Sequence, residues 1–400
     1  MVSDPYRAKG CSLHHPAHIL THKHPEMAFL SPRMIAASCL ALLLLLLLVY
    51  STSCIREELL FSALLDSLFI TFDDFTPGYA KALNLSISEQ IPIQYDNPLS
   101  STAKIPRIIH HIWFAGILRD APAQTEIPPI WSGAQAMCRD NNPNFTIHVW
   151  TAETGQGFIQ EHYSWFIPTY NGYAFPIQRV DALKYFLLWH YGGIYIDLDI
   201  SCRRPLDPLL EFSAWFPRAS PLGVNNDLMA SRPGHPVFGK MIQSLQAYNH
   251  HYYFTYPTVF WSTGPMFVDT VLKDYWFRSN KVTRALAEGT STSIWSDHTT
   301  AIDGLIEEVD RDHRYSGPGD VAVLPQIFYS EEYTFFGHRP GGSWHGDDVV
   351  VVVWMWKRLR VVLLVALLFV GVLLGARRMG IKRIKRIAYQ KLTLLQDILD

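Results

Sequence analysis

RVDALKYFLLWHYGGIYIDLD, from Arg179 to Asp199, decides the fold of this chain. Over Asp181 to Tyr191 it places Leu183, Phe186, Leu187 and His190 on one side of a helix, and Gly192-Gly193 is the expected stop. Ile194 to Ile200 then reads as an apolar strand carrying two carboxylates one residue apart. Side chains two positions apart on a strand point to the same face, so Asp197 and Asp199 can converge on one cation at the strand's C-terminal end. Open α/β sheets bind their ligands at that edge.

Two further strands are legible upstream. Ile105 to Ala115, IPRIIHHIWFA, has the apolar density of a buried first strand, bounded by Pro106 and Gly116. Phe145 to Trp150, FTIHVW, alternates like a second. Strands interleaved with helical stretches predict the α/β class, with a Rossmann-like, mostly parallel sheet. No internal repeat is present, which sets propellers and solenoids aside.

The 400 residues are not all soluble domain. Met34 to Ile55 carries no charge and contains an unbroken leucine run, Leu42 to Leu48, and about 20 such residues suffice to cross a bilayer. A second run, Val361 to Ala376, would be roughly 24 Å long as a helix. Trp354 and Trp356, with snorkelling Lys357, Arg358 and Arg360, extend it to the interface. Basic residues stay on the cytoplasmic side: Arg7, Lys9, Lys23 and Arg33 precede the first run, and Arg377, Arg378, Lys382, Arg383, Lys385 and Arg386 follow the second. Both termini are therefore expected in the cytoplasm and the middle in a lumen. The sequons Asn84-Leu-Ser86 and Asn144-Phe-Thr146 fall in that middle. A cleaved signal peptide is the rival reading of the first run, with Ser51-Thr-Ser53 as its small residues.

The expected organisation is a disordered cytoplasmic tail (1–33), a transmembrane anchor (34–55), a lumenal stem and linker (56–103), a catalytic domain (104–348), an interfacial segment with a second transmembrane helix (349–376) and a basic cytoplasmic tail (377–400). Within the stem, Glu57 to Phe72 is helix-compatible and Thr76 to Lys104 reads as linker. Cys138 and Cys202 are the two cysteines well inside the lumenal body; they can pair or stay buried thiols. A net charge of -2 with mixed signs argues against nucleic acid as a partner class.

Two carboxylates at one strand end suit a hard divalent cation, Mn²⁺ or Mg²⁺, that keeps water and phosphate oxygens in its shell. Such an ion neutralises a diphosphate as it leaves a sugar. With its Gly-Gly lead-in and the helix before it, Arg179 to Asp199 resembles the signature of glycosyltransferase family 32, the DXD sugar-binding family, and Ile105 to Trp113 resembles that family's opening strand. Within that family the chain resembles fungal mannosyl-inositol-phosphorylceramide synthases, in NNDLMASRPGHPVF (Asn225 to Phe238), YPTVFWSTGPMF (Tyr256 to Phe267) and GGSWHGDD (Gly341 to Asp348).

That resemblance implies a GT-A type domain and a retaining, metal-dependent transfer of mannose from GDP-mannose to inositol phosphorylceramide at a Golgi or related endomembrane. A regulatory membrane subunit is left open as a partner. It also implies roles. Asp199 would coordinate the cation, Asp197 would meet donor ribose or metal-bound water, and Trp113 would lie near the guanine. Asp181 would hold sugar hydroxyls, with Arg179, Lys184 and Tyr195 around it; relatives often carry Arg where Lys184 stands. Asn226 and Asp227 would face donor or acceptor, or cap a helix that follows them. Ser343 and Trp344 would bind the donor, and His345 is a candidate third metal ligand or phosphate donor.

The bland readings are specific too. Trp113 and Tyr195 can be core aromatics, and Asp181 with Lys184 an exposed ion pair worth a few tenths of a kcal/mol. The functional rivals are a mannosyltransferase acting on protein-linked glycans, a phosphatase that shares the DxD pattern, and a catalytically silent membrane subunit.

Overall fold

The computed structural model describes residues 32–93, 102–115, 126–220, 223–279, 321–329 and 333–338, with isolated positions beyond 350. Its strands are β1 (Ile108–Ile112), β2 (Thr146–Trp150), β3 (Gly193–Ile196), β4 (Ile200–Cys202), β5 (Ala214–Pro217), β6 (Leu228–Ser231), β7 (Val321–Leu324) and β8 (Phe336–His338). Its helices are α1 (Pro32–Ser67), α2 (Pro77–Glu89), α3 (Pro129–Asn141), α4 (Ala152–His162), α5 (Ile167–Gly172), α6 (Pro176–His190), α7 (Pro236–Ser244), α8 (Thr255–Ser262), α9 (Pro265–Ser279) and α10 (Gln326–Tyr329).

Six strands form one sheet in the order β2-β1-β3-β6-β5-β7. The pairs β1 with β2, β1 with β3 and β5 with β7 are parallel, while β6 is antiparallel to both neighbours. The sheet is thus mostly parallel as expected, with β6 alone reversed. Alternate residues feed two cores. Ile194 and Ile196 of β3 enter one with Trp215, Leu228 and Ala230, and Tyr195 enters the other with Phe216, Met229 and Val323. Helix α6 is apolar on nearly every side because it is packed all round, against β1, β3 and β6 and against α4, α5, α7 and α8. It starts five residues before the predicted Asp181, with Pro176 at its first position and the Gln178 side chain accepting from Phe175 N at 3.0 Å.

Gly192 and Gly193 end α6 and open β3 at φ of +68° and +98°. A Cβ on Gly192 would lie 2.6 Å from Pro233, and one on Gly193 would lie 2.6 Å from the Ile108 carbonyl, so neither position admits a side chain.

The predicted carboxylate strand differs in one respect that matters. β3 stops at Ile196, and Asp197-Leu198-Asp199 form a turn into β4, which belongs to a separate two-stranded sheet with β8. The pairing sets Ile200 opposite His338. Convergence of the two aspartates is therefore a property of a turn, not of strand parity.

Residues after Asn226-Asp227 form β6 rather than a helix; α7 begins only at Pro236. The stem also differs from expectation. Phe61, Leu65, Ile70, Phe75, Tyr79 and Leu83 are buried in the two cores, and Phe69 makes a parallel bridge to Val323, so much of 56–103 is domain wall. Among the described residues no helix is long and apolar enough to cross a membrane. The side chains of 34–55 are described only in part, and Val361 to Ala376 lies almost wholly outside the described residues.

Cys138 of α3 and Cys202 of β4 are joined by a disulfide across 64 positions. Closing a loop of that length stabilises by about 4 kcal/mol in the chain-entropy account. A thermal scan with and without reductant should show a midpoint several degrees lower when reduced; an unchanged midpoint would mean the bond contributes nothing.

Two buried imidazoles lie beneath the site. Trp150 Nε1 donates to His110 Nδ1 at 3.2 Å, which leaves His110 Nε2 to donate to the Gly192 carbonyl at 2.9 Å, and His111 Nδ1 donates to the Ile196 carbonyl at 2.8 Å. The two ends of β3 are thus each bound to a neutral histidine, and the one that leads into the site is bound to His111. Burial pushes both pKa values down to about 4. Folded values below the unfolded 6.5 mean full stability above pH 6.5, with losses of about 3 kcal/mol apiece as pH falls to 4. Urea midpoints should fall across that window in the wild type and by about half as much in His111→Asn, which leaves His110 to titrate.

Candidate active site

β1 and β3 run parallel, so the residues that follow them emerge at one sheet edge, where α6 presents its own polar pair. Asp181 and Lys184, one turn apart on α6, are almost fully buried, and their charges meet at 2.9 Å. The exposed ion pair is therefore excluded. Lys184 Nζ also lies 3.4 Å from Asp197 Oδ1, donates to the Asn226 carbonyl at 3.3 Å and sits 4.7 Å from the Tyr195 ring centroid. Two carboxylates and one backbone carbonyl thus face its ammonium group. Lys184 lies between the Asp181 and Asp197 carboxylates. Asp181 Oδ1 further accepts from Asn226 Nδ2 at 3.0 Å and Oδ2 from Thr263 Oγ1 at 3.1 Å. Burial raises the Asp181 pKa against the pull of Lys184.

Asp197 is fixed by three contacts: its backbone N–H donates to the Asp227 carbonyl at 2.8 Å, Tyr195 OH donates to Oδ1, and Lys184 faces the same oxygen. Burial, with repulsion from Asp199 and Asp227, pushes its carboxyl up to about 7 despite Lys184. Asp227 Oδ2 accepts from Tyr329 OH at 2.5 Å and from Asn225 Nδ2 at 2.6 Å. Its Oδ1 is buried without a hydrogen-bond partner, and burial raises its pKa.

The residue sequence reasoning missed is His338. Its Nε2 lies 3.8 Å from Asp199 Oδ2 and 3.9 Å from Asp227 Oδ2, and its Nδ1 lies 3.0 Å from Tyr329 OH. Burial favours its neutral form, but Asp199 and Asp227 outweigh that and raise the pKa. Its local signal is thin: an apolar pair, Phe335-Phe336, ending in Gly337-His338. Only the β4 to β8 pairing brings it beside the aspartates.

Other sequence-derived candidates sit at different distances from this centre. Asn226 is buried, with its amide given to Asp181, Tyr185 and Thr263, so it is a bracket of the site. Trp113 is buried just beyond β1, edge-on to Trp131 at 5.8 Å. Arg179 is half-buried, and no hydrogen bond described for it reaches the carboxylates. Ser343, Trp344 and His345 lie outside the described residues.

Asp181, Asp197, Asp199 and Asp227 thus surround one lysine and one histidine, a surplus of carboxylates in a largely buried cluster. Among the described residues no three His, Cys, Asp or Glu side chains are grouped closely enough to hold a metal ion by themselves. Mn²⁺ and Mg²⁺ sites at phosphates use few protein ligands and leave the rest to water and phosphate oxygens. The partnerless Asp227 Oδ1 and the surplus of carboxylates fit such an open site.

The family described as glycosyltransferase sugar-binding region containing DXD motif matches residues 128–215. Mannosyl phosphorylinositol ceramide synthase SUR1 of Saccharomyces cerevisiae is 35% identical over 286 residues, 71% of this chain and 63% of its own length. Inositol phosphoceramide mannosyltransferase 1 of Schizosaccharomyces pombe is 33% identical over 308 residues, 76% of this chain and 81% of its own. The alignment therefore spans less than two thirds of the first relative and most of the second. Among solved structures, the PaToxG glycosyltransferase aligns with 53% of this chain and 80% of its own at 14% identity and a TM-score of 0.31, too loose a likeness to bear on the site. By its match to the DXD region and to relatives of this length and identity, the chain belongs to the DXD-containing glycosyltransferases, alongside the fungal mannosyl phosphorylinositol ceramide synthases.

Proposed function

We propose that the protein is a retaining mannosyltransferase that moves mannose from GDP-mannose to the inositol of inositol phosphorylceramide. The observation that carries this reading is the clustering of Asp197, Asp199 and Asp227 around Lys184, Tyr329 and His338, in a chain similar to proteins named for that product or its acceptor.

Asp199 and Asp227 would hold Mn²⁺ or Mg²⁺, with Asp197 meeting the donor ribose or a bound water. When bound, the cation neutralises the charge that gathers on the departing diphosphate. The chain's own residues set the geometry. Tyr195 and Lys184 fix the Asp197 carboxylate from two sides, and Tyr329 bridges Asp227 and His338. Asp181, held by Asn226 and Thr263, would orient a sugar hydroxyl. Retention then follows a same-face route in which the departing phosphate accepts the acceptor's proton.

The compartment is part of the proposal. Two apolar runs, basic flanks outside both, and the sequons at Asn84 and Asn144 support a membrane-embedded protein with a lumenal catalytic domain in the Golgi or a related endomembrane. A Cys138–Cys202 disulfide agrees with an oxidising lumen. Both sequon asparagines are exposed.

Purified protein in proteoliposomes, offered labelled GDP-mannose or UDP-sugars with and without Mn²⁺, tests donor and metal together. Label should enter inositol phosphorylceramide from GDP-mannose only when the cation is present. Label entering a high-mannose glycan instead would reject the lipid acceptor.

A further inference from the structure

The loop before α8 shows an arrangement the transfer chemistry does not use. Asn249, His250, His251, Tyr252, Tyr253 and Phe254 are all exposed, with Tyr253 fully so and Phe254 at 62%. Folded chains bury aromatic rings where they can, and a run of three in water marks a contact surface. The loop is also held in place. Thr258 of α8 is buried; its Oγ1 accepts from Tyr252 N at 3.0 Å and lies 3.1 and 2.7 Å from the Tyr252 and Phe254 carbonyls. The rings are thus presented on a pinned backbone.

α8 links this loop to the active site. At its far end the Ser262 hydroxyl accepts from Gln178 Nε2 at 2.7 Å, and Thr263 donates to Asp181. An eight-residue helix is about 12 Å long, so the exposed rings lie roughly that far from the residues that flank Asp181.

We propose that Tyr252, Tyr253 and Phe254 dock into the interfacial layer of the lipid bilayer and set the height of the active site above it. A bilayer is the occupant because the chain carries two apolar runs long enough to hold its body at a membrane, and because tyrosine and phenylalanine rings flanked by polar histidines match the headgroup boundary. A site about one short helix from that boundary can reach a lipid headgroup without extracting the lipid. The inference rests on the membrane-embedded acceptor proposed above and adds the surface that delivers it.

The full chain in phosphatidylcholine vesicles carrying a photoactivatable phospholipid tests this by mapping lipid adducts. Adducts are expected within 249–254 and within one or both apolar runs, 34–55 and 361–376. The double variant Tyr253→Ser, Phe254→Ser should lose the loop adducts. It should also raise the apparent KM for vesicle-embedded inositol phosphorylceramide about tenfold, with the KM for GDP-mannose and turnover of a detergent-dispersed short-chain acceptor unchanged. Adducts in the runs but none in the loop would overturn the docking surface and leave the membrane reading intact. Adducts in neither would overturn both. Loop cross-links to a protein in native membranes, with no lipid adduct, would assign the surface to a protein partner and overturn the proposal.

Discussion

Asp199→Ala will reduce mannosyl transfer by about a thousandfold or more while leaving the fold as stable as the wild type. Removing one group that stabilises developing charge typically lowers turnover by about 10²–10³-fold, and a cation ligand lies at the upper end of that range. The expected stability follows from the site's charge. Asp199 is half-buried in a cluster of four carboxylates and faces His338 at 3.8 Å. Deleting it relieves repulsion on Asp197, whose carboxyl is pushed up partly by this neighbour. Transfer assays and thermal scans on the same preparation check both halves. A variant that retains substantial turnover would remove Asp199 from the centre, and one that fails to fold would show it to be structural.

Lys184→Met will do the reverse and strike stability first. Lys184 is the only ammonium group described among these carboxylates, buried against Asp181 and Asp197. Withdrawing one partner of a buried pair leaves an uncompensated charge, at about 3–5 kcal/mol. Methionine fills much the same volume, so the loss is electrostatic rather than a cavity effect. The double variant Asp181→Asn, Lys184→Met should recover part of that loss because the stranded carboxylate goes with its partner. Urea unfolding of the four proteins gives the coupling directly. Additive losses would mean that the pair does not act as a unit. Lys184→Arg keeps the charge but brings a larger, planar head into a site with little room, so partial rather than full stability is expected.

Much of this site can be seen in the sequence because its parts are local. The strand IPRIIHHIW, the helix that ends at Gly192 and the DxD all lie in short windows whose periodicity and glycines decide them. The pairing of Cys138 with Cys202, left open by the sequence, is settled by β4 running beside α3. What stayed hidden depends on distant segments meeting. The end of β3 at Ile196 is set by β4 leaving for a second sheet, and that sheet exists only because residues 336–338 return beside 200–202. His338 and Tyr329 reach the aspartates by that return, more than 100 residues downstream of Asp227 in the case of Tyr329. The reversed β6 similarly follows from pairing on both sides, which the run LMAS does not announce. Residues 77–89 looked like linker because Pro, Asn and Ser are common around them, yet Tyr79 and Leu83 on one helix face suffice to dock α2 on the core.

In the proposed mechanism these aspartates hold a divalent cation together with a nucleotide diphosphate. Electron paramagnetic resonance of Mn²⁺ titrated with the purified full-length protein and GDP tests it directly, since bound Mn²⁺ loses the sharp signal of the free ion. One ion per chain should be taken up in the presence of GDP, with uptake abolished in Asp199→Ala and weakened in Asp227→Asn. Equal free Mn²⁺ in wild type and Asp199→Ala would contradict the account.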